Sequence, residues 1–211
     1  MNAFITGTNT GAGKTFVTSL LIRGLRARGV DAVGFKPICC GGREDAQALR
    51  AAGGDALTLN EVNPVWLRTP AAPYTAAMIE NRQIDLALVR EVYAGIRSRH
   101  EAVLVEGVGG WLVPILHDYL VADLAHDLDL PVIIVVANRL GALNHAALTL
   151  ESVRSRGASC AGLILNEADK LERAEEEVES IARATNRGVL EGWLGVKILY
   201  EVQFGQQILP V

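Results

Sequence analysis

Six short apolar runs alternate along the chain with longer amphipathic stretches. The runs are "NAFIT" (2–6), "DAVGFKP" (31–37), "AVLVEG" (102–107), "PVIIVVA" (131–137), "CAGLILN" (160–166) and "GVLEGWL" (188–194). They are rich in Val, Ile and Leu, and several lack polar alternation, which is the pattern of strands covered on both faces. Between them, "KTFVTSLLIRGLRARG" (14–29) spaces its apolar residues at helical period and meets a stop at Gly29. "LALVREVYAGIRSR" (86–99), "LNHAALTLESVRSRG" (143–157) and "LERAEEEVESIARA" (171–184) predict further helices, with Glu175–Glu177 on a solvated face. Such alternation predicts an α/β fold: a doubly wound, mostly parallel sheet with helices on both faces and right-handed crossovers. Ligands on these sheets bind beyond the carboxyl ends of the strands. The residues just after each strand are therefore where chemistry is sought.

Composition narrows the class. At 211 residues the chain suits a single domain, 1–211, with one core. Its net charge of −4, with both signs mixed, carries no basic footprint, so no nucleic-acid partner is expected. No apolar run approaches the roughly 20 residues of a membrane helix, and the N-terminus does not read as a signal peptide. Cys39, Cys40 and Cys160 form neither a disulfide framework nor a zinc spacing. A cytoplasmic protein without a membrane partner is the expectation.

"GTNTGAGKT" (7–15) changes the picture most. Gly7, Gly11 and Gly13 follow the first strand, and Lys14 and Thr15 open a helix. Glycines let backbone amides turn toward phosphate oxygens, and the helix N-terminus adds positive potential. Lys14, expected to be exposed in the empty site, reaches the β- and γ-phosphates, and the Thr15 hydroxyl is placed for Mg2+. Five residues separate Gly7 from Gly13, one more than in the standard phosphate loop. No Asn-Lys-x-Asp base-reading motif of signalling GTPases occurs. Asn9 stands where partitioning-type ATPases carry a signature Lys.

Two further strand ends carry polar residues. Lys36 ends the second strand beside the expected phosphate site, and Asp45 opens a short helix, where a cap or a metal partner is possible on position alone. "VLVEGVGGW" (103–111) puts Glu106 at the end of a buried strand, where nucleotide hydrolases keep an acid for Mg2+. An unpaired buried carboxylate is costly, and Gly107, Gly109 and Gly110 let the backbone pass close to a ligand. His100, His117, His126 and His145 are scattered without metal-ligand spacing and read as surface or packing residues.

With "TGTNTGAGKT", "GFKPI", "VLVEGVGGW", "GALNHA" and "GLILNE" in this order, the chain resembles the dethiobiotin synthetases over roughly residues 1–167. The resemblance implies a P-loop NTPase-like fold and a ligase that uses ATP and Mg2+. It would join CO2 to 7,8-diaminononanoate (7,8-diaminopelargonate) and close the ureido ring of dethiobiotin. It further implies that Thr10, Lys14 and Thr15 contact phosphates or metal, within a nucleotide loop that includes Gly11, Ala12 and Gly13. Asp45 and Glu106 would complete the Mg2+ site, and Lys36 would sit against the transferring phosphoryl group and the carbamate. Gly109 would approach the substrate and Asn166 would bond the adenine edge. The turn Leu140–Asn144, including Gly141 and Leu143, would take the substrate's tail carboxylate across a homodimer interface, although the apolar stripe Leu143, Ala147, Leu150 and Val153 fits burial on the chain's own sheet equally well.

The chain departs from the family pattern in three places. Gly11 replaces a loop acid. Cys40 replaces a Ser at the substrate, and a thiol donates a weaker hydrogen bond than a hydroxyl. "EGWLGVKIL" (191–199) replaces a Gly-x-Ile-Pro turn near the base. A nucleotide switch acting through ATP-dependent dimerisation is the alternative. A different amide-forming or amidotransfer enzyme on the same scaffold, such as the cobyrinic acid diamide synthases, usually carries an added glutaminase domain, for which the chain has no room.

Overall fold

The computed structural model describes residues 1–167, 176–209 and 211, with backbone alone at 176–178. The first strand, β1 (Ala3–Gly7), runs into the loop that opens α1 (Lys14–Ala27). β2 (Ala32–Phe35) and β3 (Ile38–Cys40) follow, then α2 (Glu44–Ala52), α3 (Leu59–Val62), β4 (Val65–Leu67), α4 (Pro73–Glu80) and α5 (Leu86–Arg97). The chain returns as β5 (Ala102–Glu106), β6 (Pro114–Leu116), β7 (Tyr119–Leu120), α6 (Val121–Asp127) and β8 (Val132–Ala137). It ends with α7 (Ala142–Ser155), β9 (Cys160–Asn166), α8 (Glu176–Leu194) and β10 (Ile198–Val202).

Six strands form one sheet in the order β10-β9-β8-β1-β5-β2, and every described pairing in it is parallel. β1, β5 and β8 are buried at every residue. A pleated strand points alternate side chains to opposite faces, so burial of all of them means that both faces are covered. The unbroken Val/Ile/Leu runs of the sequence are the consequence. The chain moves from β1 to the β2 edge, inserts β5 between them, and then crosses to β8 on the other side. The carboxyl end of β1 is thus a switch point, where crossovers diverge and leave a crevice. Two small sheets, β3–β4 (parallel) and β6–β7 (antiparallel), lie outside this frame.

One strand expectation fails. Residues 188–194 belong to α8, and the sixth strand is Ile198–Val202. Ala182, Asn186 and Leu190 are buried at four-residue spacing, so the helix packs one face inward despite Gly188 and Gly192. Each such glycine costs about 1 kcal/mol against alanine, and tertiary burial outweighs it. The expected helix 171–184 is described from Glu176 on; 171–175 and the side chains of the acidic run lie outside the described residues. Within α7, Leu150 and Val153 are buried with Ala142 and Ala146 in the chain's own core. Of the expected stripe, Leu150 and Val153 are thus buried in one chain, while Leu143 and Ala147 are only partly covered.

Candidate active site

The crevice is a cavity of about 950 Å3. Its floor is the loop between β1 and α1. Gly11 and Gly13 have φ near +85°, a region where a side chain is strained. At Gly13 space adds a second requirement: a Cβ there would lie 2.1 Å from Asn166 Nδ2. Asn166 Nδ2 donates to the Ala12 carbonyl at 3.0 Å, so the end of β9 holds the loop in place. No side chain caps α1, which leaves its first-turn N–H groups available to an anion.

Lys14 is 7% exposed, contrary to the expectation of an exposed side chain in the empty site. Its stem lies against Gly7, and its ammonium donates to the Asn9 carbonyl at 3.4 Å. Burial, followed by the charge on Lys36, pushes its pKa down to about 8.

Four charged or polar side chains meet beside it. Glu106, fully buried at the end of β5, accepts from Lys36 Nζ at 2.5 Å and from Thr15 Oγ1 at 2.8 Å, both on Oε1. Its Oε2 is buried with no partner. Lys36 also donates to the Gly107 carbonyl at 3.0 Å and pairs with Asp45 Oδ2 at 3.2 Å. Burial disfavours the Lys36 charge, but the Glu106 and Asp45 carboxylates outweigh it and hold its pKa above the ordinary lysine value. Lys36 therefore works as a fixed cation and not as a proton acceptor. For Asp45, burial acts upward but the Lys36 charge prevails and keeps the carboxyl below its ordinary range.

The frame fixes this cluster from outside. The Lys36 N–H donates to the Val62 carbonyl at 2.8 Å, and the Lys36 carbonyl accepts from buried Asn63 at 3.0 Å. Asp45 is the second residue of α2, whose cap position is Arg43, so it makes no capping bond there. Pairing with Lys36 is what it does instead.

The orphaned Glu106 oxygen needs an explanation, since buried polar atoms are nearly always satisfied. A hard divalent cation supplies one. Mg2+ takes one or two carboxylates, keeps several waters and shares phosphate oxygens, and Thr15, Glu106 and Asp45 supply oxygen donors of that kind. No group of three or more His, Cys, Asp and Glu side chains with metal-binding geometry occurs among the described residues. A cation held partly by phosphate does not require one.

The remaining predicted residues divide. Thr10, Cys40 and Gly109 border the cavity, as do Gly11, Gly13 and Asn166. Burial raises the Cys40 thiol to about 11, so it stays protonated at neutral pH. Gly109 turns at φ +65° with no room for a Cβ beside Val113. Leu140, Gly141, Leu143 and Asn144 do not border this chain's cavity. Leu140 and Gly141 lead into α7, and Leu143 and Asn144 lie in its first turn; Leu140 is 65% exposed and its N–H donates to Glu179 of α8.

The sequence did not single out the wall formed by Pro70–Pro73, nor Glu167, Phe204 and Gly205 at the far end. Pro73 opens α4 at its first position, a readable helix start, but nothing in the sequence aims it at a ligand. The chain end that reaches the cavity is 204–205, not "EGWL", which lies in α8.

Comparison with known proteins gives a consistent result. A family model described as an AAA domain matches residues 2–205. An ATP-dependent dethiobiotin synthetase BioD of Akkermansia muciniphila is 43% identical over 210 residues, covering 100% of this chain and 95% of the relative. The similarity thus extends past residue 167 to the whole chain. Another BioD, from Anaeromyxobacter dehalogenans, is 43% identical over 87% of this chain and 85% of its own. Among solved structures, chloroplast FtsY of Physcomitrella patens superposes with TM-score 0.58 at 14% identity. That match covers 95% of this chain, which spans only 57% of the FtsY chain. MinD of Aquifex aeolicus gives 0.53 at 14% identity over 96% of this chain and 81% of its own. At such identities these two speak for the fold alone.

Proposed function

The chain belongs to the family of ATP-dependent dethiobiotin synthetases, and we propose that it closes the ureido ring with the side chains gathered in this cavity. As a ligase of biotin biosynthesis it joins 7,8-diaminononanoate and CO2 at the expense of ATP. A carbamate forms on one amine and loses its proton. One carbamate oxygen attacks the γ-phosphorus, ADP leaves, and a carbamic–phosphoric anhydride results. The second amine attacks the carbonyl, phosphate leaves, and the ring closes.

No step needs a side-chain nucleophile. The work is positioning and charge stabilisation. Lys14 and the loop amides would hold the β- and γ-phosphates, with Thr10 at the rim. Lys36, kept charged by Glu106 and Asp45, would face the transferring phosphoryl oxygens and the carbamate. Cys40 and Gly109 would border the diamine, and Asn166 the adenine edge. Thr15, Glu106 and Asp45 would hold Mg2+, which when bound neutralises phosphate charge and polarises the γ-phosphoryl group. Beside the phosphate loop two lysines, Lys14 and Lys36, balance two carboxylates, Asp45 and Glu106. The metal is therefore best accepted together with the anionic nucleotide.

The observation that carries this reading is the Lys36–Glu106–Thr15 cluster, with its unpartnered carboxylate oxygen, at the mouth of the phosphate loop. ADP release is expected only when diaminononanoate and bicarbonate are both present. Steady hydrolysis without either would instead indicate a nucleotide switch. That alternative is not favoured: its support was fold likeness, and the family relatives are synthetases.

The same proposal makes the protein a cytoplasmic homodimer with shared sites. Gly141 caps α7 without a side-chain bond, so the helix offers N–H groups to a carboxylate. Leu140 and Leu148 are exposed beside it. A turn that does not border its own chain's cavity serves a substrate tail only from a second subunit. Lys14→Met and Asn144→Glu proteins should each be inactive alone. Mixed, they should recover roughly a quarter of wild-type activity, since half of the dimers keep one intact site. A fully active monomer would remove the shared site.

A further inference from the structure

Burial does not hold Asp45 where it meets Lys36. Its side chain is 52% exposed, and α2 begins one residue before it without a side-chain cap. The preceding Gly41 and Gly42 have little conformational preference of their own, and Gly41 turns at φ +82°. Whatever fixes the start of α2, and with it the 3.2 Å approach of Asp45 to Lys36, comes from outside the helix.

Arg43, at the cap position of α2, makes that connection. Its Nε donates to Asn63 Oδ1 at 2.9 Å. The rest of the guanidinium donates to Asn60 Oδ1 and to the carbonyls of Leu59 and Asn63. All of these acceptors are neutral, so the fork of donors places the side chain, not an opposite charge. Asn63, 1% exposed, donates in turn to the Lys36 carbonyl at 3.0 Å and the Val65 carbonyl at 2.8 Å. Trp66 holds the other side. Its ring centroid lies 5.5 Å from Arg43 Cζ, and its Nε1 donates to the Gly41 carbonyl at 2.7 Å.

A closed circuit results. It leaves Lys36 by its carbonyl, passes through Asn63 and Arg43 into α2, and returns from Asp45 to the Lys36 ammonium. Both ends meet in one residue, so loosening the Arg43–Asn63 link shifts Asp45 against Lys36. We propose that Arg43 is a positioning residue for the Mg2+ site, setting the place of Asp45 through Asn63 and the first turn of α2. Arg43 itself does not border the cavity. The inference rests on the nucleotide and metal reading above. Residues that orient a metal ligand from behind commonly carry about 10- to 100-fold in metal affinity.

The test reads metal coupling without turnover. ATP binding is measured by calorimetry with and without Mg2+ on the wild type, Arg43→Ala, Arg43→Lys and Asn60→Ala, together with each Tm. Arg43→Ala should lose at least about tenfold of the affinity that Mg2+ adds, with metal-free ATP binding unchanged. Arg43→Lys keeps the charge but not the fork, and should recover little. Asn60→Ala removes an exposed acceptor and spares the Asn63 bond, so it should lower Tm slightly and keep the Mg2+ effect. An undiminished Mg2+ effect in Arg43→Ala overturns the proposal, and so does full recovery in Arg43→Lys. Losses that follow Tm across all three variants would make Arg43 a staple for α3 and overturn it equally. A wild type whose ATP binding ignores Mg2+ removes the metal reading and this inference with it. If Mg2+ strengthens ATP binding through Arg43 but no ring closes, the synthetase reading alone is refuted.

Discussion

Lys14→Met is expected to lower ring closure a hundred- to a thousandfold while leaving the protein at least as heat-stable as the wild type. The activity loss follows from removing a buried cation aimed at phosphate in a water-poor cavity, where such charges count most. The stability result follows from its depressed pKa, about 8 against 10.5. That difference means the charged form is disfavoured in the fold by the order of a few kcal/mol. Methionine keeps the stem against Gly7 and drops the charge. The pH dependence has a definite sign. The unfolded chain holds the Lys14 proton up to its ordinary pKa and the folded empty protein releases it near 8, so the Lys14 contribution to stability rises as pH rises from about 8. Polyphosphate restores the proton. Nucleotide binding near pH 8 should therefore take up protons, seen as a buffer-dependent binding enthalpy, and should weaken as pH climbs further. Lys14→Met should show neither the proton uptake nor that part of the stability rise. A well-folded variant with normal turnover would remove Lys14 from the phosphate site.

Much of this arrangement is legible in the sequence because backbone constraints leave residue-level traces. A loop that must turn its amides inward needs Gly11 and Gly13, and strands covered on both faces need unbroken apolar runs such as "PVIIVVA". Glu106 is legible for a related reason: a carboxylate ending a buried strand has to have a partner. What stays hidden depends on who packs against whom. "GVLEGWL" has a strand's composition, but Ala182, Asn186 and Leu190 bury one helical face. The burial of Lys14 comes from the loop folding over its stem, which no local pattern announces. Pro70–Pro73 and Phe204 reach the cavity through long-range docking, and neither has a period or motif to mark it.

The Lys36–Glu106 pair offers a sharper separation of fold from function. Glu106→Gln preserves shape and removes the negative charge, leaving Lys36 buried with Asp45 as its one remaining carboxylate partner in the cluster. Breaking a buried ion pair from one side costs roughly 3–5 kcal/mol, which for a chain of this size lowers Tm on the order of 10 °C. Turnover should fall at least about tenfold, and the Mg2+ concentration needed for half-maximal rate should rise. That variant alone does not say whether activity is lost through the metal or through instability. The double replacement Lys36→Met with Glu106→Leu decides it. Well-packed apolar residues in place of a buried pair are commonly neutral or stabilising, so the double variant should regain most of the lost Tm. It should regain no activity, because the cation facing the phosphoryl group and the acid beside Thr15 are both gone. Nucleotide should still raise its Tm, since the loop amides and Lys14 remain, but adding Mg2+ should add less to that rise than in the wild type. An unaltered Mg2+ requirement in Glu106→Gln would make the glutamate a structural partner of Lys36 and move the metal to another acid.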